Sequence, residues 1–212
     1  MVKVKTYSIA AVITLLLLLS GYSMNWYLGD LKEKQLQQQF LDLQTSIVES
    51  QLELTYLTEF TEDGCELLEE AKDVTRINLF DVNKRLESLE EISGDEFEAR
   101  RLKTEQSISY INLWMFARKM KEECKTNLTT ILYFWDAYSI ESQQQGYVLD
   151  TITRENGDVV LIIPLDYNFD LGMIKILSKE FNVTRTPTII INEKIKLEGI
   201  HSKSEILDYV FS

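Results

Sequence analysis

Two hydroxyls stand three residues apart in the stretch YFWDAYSIES, Tyr133 to Ser142, where Ser139 and Ser142 are accompanied by the carboxylates of Asp136 and Glu141. A serine nucleophile needs a general base within hydrogen-bond reach and a third group to orient that base. The chain has one histidine, His201, and it stands at the start of the last predicted helix, where it belongs to a surface or a cap rather than to a catalytic pair. Asp136 and Glu141 fall in a predicted exposed turn, where carboxylates are solvated. No His, Cys, Asp or Glu cluster has metal-ligand spacing, and no glycine-rich phosphate loop is present. No catalytic residue, metal or cofactor is therefore expected.

The other reactive side chains are two cysteines, Cys65 and Cys124. Glu66, Glu122 and Glu123 beside them raise a thiol pKa and work against a reactive thiolate. Two helical runs set their place. The first, about Cys65 to Ile92, carries Leu79, Val82, Leu86 and Leu89 on one face, and the second, about Asp95 to Lys125, carries Ile108, Ile111 and Met115. Ser93-Gly94-Asp95 reads as the turn between them, with glycine ending one helix and aspartate capping the next. Cys65 lies 29 residues before Gly94 and Cys124 lies 30 after it. An antiparallel hairpin brings both to its open end, which predicts a Cys65–Cys124 disulfide closing a long loop; two unpaired thiols are the alternative.

Upstream, Leu36, Phe40, Leu43, Ile47, Leu54 and Leu57 recur at heptad-like steps interrupted at Ser50. Such a seam either packs on the hairpin as a three-helix bundle or pairs with a second copy as a coiled-coil homodimer. Further upstream, Tyr7 to Leu28 contains no charged residue and is long enough to cross a bilayer as a helix. Tyr22, Trp26 and Tyr27 sit at its far end, where aromatic rings favour the headgroup region, and Lys3 and Lys5 precede it without an acidic partner. The reading is a single-pass signal-anchor over 7–28, with 1–6 cytoplasmic and a helical spacer over 30–127 outside, in the cell membrane. A cleaved signal peptide competes, although Gly21-Tyr22-Ser23 is a weak cleavage site. Either arrangement puts the following chain where disulfides persist. The net charge of −12, with no basic stripe, argues against a nucleic-acid partner.

At about Thr129 the period changes. Apolar or β-branched runs at 131–135, 158–165, 188–192 and 194–197 alternate with helical patterns at 139–154, 169–181 and 202–211, in the order β-α-β-α-β-β-α, which implies an α/β unit with parallel pairing and a terminal hairpin. That order, with ILYFWDAY ahead of Ser139, FNVTRTPTIIIN around Pro187, and Lys196-Leu197-Glu198-Gly199 before a closing helix, resembles the thioredoxin fold over residues 128–212. The resemblance implies that Ser139 and Ser142 occupy the two cysteine positions of a degenerate active site and that Pro187 is the cis-proline. It also puts Tyr133 where thioredoxins carry a buried acid, and Glu141 where the turn has proline. Pro164 falls inside a predicted strand, which is tolerable at a sheet edge.

Thiol exchange needs a thiolate and a second thiol to resolve the mixed disulfide, so a Ser-x-x-Ser turn cannot perform it. The surface that outlives the thiols is the peptide groove, which the resemblance assigns to Trp135, Tyr138, Thr186 and Pro187. The alternative is that Trp135 and Tyr138 only cover the core. The expected role is a membrane-anchored, extracytoplasmic, redox-inactive binder of protein or peptide. Its alternatives are a thiol-disulfide oxidoreductase, either a Cys-to-Ser variant or one using Cys65 and Cys124, and a structural tether. Asn127-Leu128-Thr129 and Asn182-Val183-Thr184 fit the N-glycosylation pattern, with Asn127 the better candidate because it lies between the two predicted units.

Overall fold

A strand that is apolar without alternation has to be covered on both faces. The run ILYFW is such a strand, and a computed structural model, which describes residues 14–16, 18–22, 24, 55–56, 64–92 and 96–211, shows what covers it. β1 (Thr129–Trp135) pairs in parallel with β2 (Val160–Asp166) and antiparallel with β3 (Thr188–Ile191), which pairs antiparallel with β4 (Ile195–Glu198). The sheet order is β2-β1-β3-β4. β2 is an edge strand, which is why Pro164, opposite Tyr133, costs the sheet no second ladder.

Side chains alternate across β1. Ile131 and Tyr133 meet Leu149 and Ile152 of α3 (Ile140–Asn156) and Ile206 of α5 (Lys203–Val210). Leu132 and Phe134 face the other way, toward Ile174 and Leu177 of α4 (Gly172–Glu180). That second core also contains Leu79 of α1 (Gly64–Ile92) and Ile111, Leu113 and Trp114 of α2 (Glu96–Cys124). The helical hairpin is thus part of the sheet's own core. The expected boundary between a spacer and a C-terminal domain at 127/128 falls inside one compact unit, Ser50–Ser212.

α2 serves two neighbours. Toward α1 it buries Leu102 against Val82 and Leu86, and Phe116 and Met120 against Leu68 and Ala71. Gln106 Nε2 donates to Asn83 Oδ1 at 2.7 Å, and Glu98 is bound by Arg101 of its own helix and approached by Arg85 of α1 at 3.6 Å. Toward the sheet, Trp114 Nε1 donates to Glu193 Oε1 at 2.7 Å, and Thr130 Oγ1 donates to the same oxygen at 2.8 Å. Glu193 stands in the β3–β4 turn, where Asn192 (φ 50°) and Glu193 (φ 58°) are both left-handed and Lys194 N–H donates to Ile191 O. Three residues join the strands, and the two positive φ values at the centre of the Ile191–Lys194 turn match the right-handed twist of the flanking strands. Cys65 and Cys124 are joined as a disulfide, with Cα atoms 5.7 Å apart.

The other compact unit is Met1–Glu49. Leu15, Leu16, Leu18, Leu19, Tyr22 and Met24 are helical there, with exposed side chains. Among the described residues no helix is long and apolar enough to cross a membrane, and most of the expected span 7–28 lies outside them. The seam residues Leu36, Phe40, Leu43, Ile47, Leu54 and Leu57, and the expected turn Ser93 to Asp95, also lie outside the described residues.

Candidate functional site

The turn from β1 into α3 is built from its own polar atoms. Ser139 is the N-cap of α3, in extended conformation, and its Oγ accepts from Ser142 N–H at 3.2 Å. Such a cap satisfies one of the donors that a helix start leaves unpaired. Ser142, 1% exposed, accepts from Asp136 N–H through Oγ at 3.1 Å. Asp136 Oδ1 accepts from Tyr138 N–H at 2.8 Å. Both serine hydroxyls therefore act as acceptors that shape the turn. His201 is not their base: its ring Nε2 lies 3.3 Å from Glu198 O, and Nδ1 lies 3.8 Å from a Glu205 carboxylate oxygen. Among the described residues no group of three or more His, Cys, Asp or Glu could hold a metal.

Beneath the turn, the Tyr133 hydroxyl donates to Ser142 O, and burial pushes its pKa up to about 12. A neutral phenol there acts as a strut, where a carboxylate would be a proton acceptor. The sign of the linkage follows from the direction of the shift. Between pH 10, the ordinary tyrosine value, and about 12, the unfolded chain has released a proton that the folded chain keeps, so stability falls with rising pH in that window. Tyr133→Phe is expected to flatten part of that fall. Tyr110, also raised by burial, keeps its share in both chains. Urea midpoints from about pH 9 to about 12 check this, and parallel curves for the two chains would remove the strut from the account.

The register brings the other segment alongside. Phe134 pairs with Thr188, so continuing the antiparallel ladder sets Trp135 opposite Pro187 and Asp136 opposite Thr186. The Thr186–Pro187 peptide bond is cis. Pro187 is buried and Thr186 half-buried, and among the described residues the backbone of Thr186 makes no hydrogen bond. Pro187 O accepts from Gly199 N–H at 2.8 Å. Gly199 has φ 90°, which a side chain would strain, and the Arg185 guanidinium lies near it.

Trp135, Thr186 and Pro187 are thus brought together at one end of the sheet. Trp135 is half-buried against the α3 side of the core, so part of its ring covers that core. Tyr138 is 94% exposed and covers nothing. Two residues at this end carried weaker signals. Arg185 is a lone cation before the proline. Gln145 shares the buried helical face of Ser142, Leu149 and Ile152, and its Oε1 accepts from His201 N–H at 2.7 Å while its Nε2 has no partner among the described residues. A polar residue in phase with a buried stripe was the clue to Gln145.

A mixed sheet of this order, with a helix starting where the central strand ends and a cis-proline opening the neighbouring strand, is the thioredoxin-like fold. No family model matches the chain, and no curated protein matches it. Solved structures similar to it include chloroplastic thioredoxin z, at 18% identity and a TM-score of 0.36, covering 43% of this chain and 82% of that one. Thioredoxin-2, a component of malaria parasite protein secretion machinery, is 19% identical with a TM-score of 0.34, over 40% of this chain and 82% of its own. The germline-specific thioredoxin Deadhead of Drosophila melanogaster is 11% identical with a TM-score of 0.33, over 43% and 86%. The fold is carried by the strand order and the cis-proline themselves.

Proposed function

We propose that the chain is a membrane-anchored, extracytoplasmic thioredoxin-like protein that holds extended peptide segments and does not exchange disulfides. The observation that carries this reading is the turn itself. Ser139 and Ser142 spend their hydroxyl oxygens on turn hydrogen bonds, while the only two cysteines are bonded to each other. Cys124 ends α2 just before β1 begins, whereas the turn follows the last residue of β1, about 20 Å away along a seven-residue strand. The disulfide is therefore remote from the groove.

What favours binding is the groove's backbone. A residue before a cis-proline with its N–H and C=O unpaired can pair with an extended chain, and main-chain hydrogen bonds give affinity with little demand on sequence. Tyr138, Ile140 and Ile200 are exposed on segments at this end of the sheet and offer apolar contact. The anchor rests on the uncharged run 7–28, with the exposed side chains of Leu15, Leu16, Leu18 and Leu19 as lipid-facing residues would have them.

Insulin reduction by the full chain is expected to stay at background. Peptide binding, followed by fluorescence anisotropy with a labelled unfolded peptide, is expected to weaken about tenfold or more in Tyr138→Ala, a change that leaves the core untouched. Turnover of insulin would sink the redox-inactive reading. No measurable peptide binding by the full chain would favour a tether, and undiminished affinity in Tyr138→Ala would place binding outside the groove.

A further inference from the structure

α1 has a face that the core does not use. Leu68, Ala71, Leu79, Val82 and Leu86 are buried against α2 and the sheet, whereas Ile77 is 64% exposed and Phe80 is 68% exposed, with Val74 exposed beside them. Large apolar side chains grouped in water mark a surface that another molecule covers. Asp73, Ile77, Phe80 and Lys84 recur at steps of four, three and four, so they form one line along the helix. All four are exposed, and the line is apolar at its centre and oppositely charged at its two ends. It is no part of the seam Leu36 to Leu57.

The order of the charges selects the occupant. The midpoint between Asp73 and Lys84 is also the midpoint between Ile77 and Phe80, and it falls between Asn78 and Leu79. A line with that symmetry complements its own reverse. An antiparallel copy, related by a two-fold axis at the midpoint, sets Ile77 against Phe80 and Asp73 against Lys84, each twice. A parallel, in-register copy sets Asp73 on Asp73 and Lys84 on Lys84, and like charges oppose it. Asp73 is open to a new partner, because Lys72, 3.8 Å from it, is already bound by Glu69. A like-charged approach remains at the rim, Glu69 to Glu87, and Lys72 offsets it.

We infer that two copies of the chain pair antiparallel through Asp73, Ile77, Phe80 and Lys84 of α1. Phe80 packs on the partner's Ile77, and this apolar centre supplies the affinity. Lys84 meets the partner's Asp73 at the solvated edge, where an ion pair sets register more than it adds binding. α1 stays packed on its own chain, so pairing leaves the hairpin as it is. The inference is independent of what the groove binds.

The test follows sedimentation of the detergent-solubilised full chain, expected to be dimeric at about 100 μM. Asp73→Lys alone sets lysine against the partner's Lys84, and Lys84→Asp alone sets aspartate against the partner's Asp73. Each single change should weaken association about tenfold or more, and the double change, or an equimolar mixture of the two single variants, should restore it. Direction is read by oxidative cross-linking of Asp73→Cys mixed with Lys84→Cys, since Cys65 and Cys124 are already bonded to each other. The mixture should form an interchain disulfide that neither variant forms alone, because like positions lie about 16 Å apart along the antiparallel helices. A monomer at about 100 μM, or a dimer that both single charge changes leave intact, overturns the proposal. Cross-linking of Asp73→Cys with itself overturns the antiparallel register.

Discussion

Replacing Cys65 and Cys124 together with serine is expected to lower the stability of the hairpin-and-sheet unit by about 4 kcal/mol. The bond spans a sequence separation of 59, and a cross-link restricts the unfolded chain by an entropy that grows with the logarithm of the loop it closes. For a chain of this size that is a fall in melting temperature of about 10–15 °C. The effect should be global because the bond closes the open end of α1 and α2, and α2 is packed on the sheet. Cys124 packs on the cluster of Leu68, Ala71, Phe116 and Met120, so the hairpin's far end loses both its cross-link and a close contact. Thermal unfolding of the native chain with and without reductant should reproduce most of the difference. Melting temperatures within about 2 °C of each other would mean that packing alone holds the hairpin closed.

Trp114→Ala is expected to cost about 3–5 kcal/mol, a large share of a typical domain's stability. Trp114 is 3% exposed and fills the core between α2 and the sheet, in the cluster that contains Leu132, Phe134, Ile163 and Leu165. Its indole N–H is also one of two donors to the Glu193 carboxylate, so truncation leaves Thr130 alone on that oxygen. Trp114→Phe separates the two effects, because it keeps most of the ring and loses the charge-assisted hydrogen bond, for about 1.5–3 kcal/mol. Arg118 lies 5.8 Å from the ring and adds little at so exposed a position. Amide exchange decides what the tryptophan holds. In Trp114→Ala, protection should fall in β1 and β3 as well as in α2, and faster exchange confined to the hairpin would show that the sheet stands without it.

These two expectations depend on the part of the structure that periodicity did not reveal. Both helices of the hairpin were legible within a few residues, because their apolar positions recur at helical spacing. Leu79, Val82 and Leu86 are buried as read. The split among them was not legible: Leu79 joins the sheet's core, whereas Val82 and Leu86 meet Leu102. On α2 the stripe of Ile108, Ile111 and Met115 is only one part of a wider apolar surface that includes Leu113, Trp114, Phe116 and Met120. A helix buried on two sides has no single stripe, and a search for one finds a fragment.

At the candidate site the division runs along a similar line. Pro187 before TIII announced a strand entry, the edge position of Pro164 was required by its missing N–H, and the absence of thiols at Ser139 and Ser142 excluded disulfide exchange at that turn. These are local facts, decided by which atoms a residue has. The division of labour between Trp135, partly spent on the core, and Tyr138, fully exposed, was not readable, nor was the anchoring of Gln145 on the backbone of His201. The sequence by itself determined the order of the elements, the chemistry the turn cannot perform, and the two residues available for a staple. The tertiary structure alone decided that the hairpin is part of the sheet's core and that a Trp–Glu hydrogen bond ties them together. The reason is physical: hydrophobic burial is non-directional, so a pattern states that a face must be covered and leaves open what covers it.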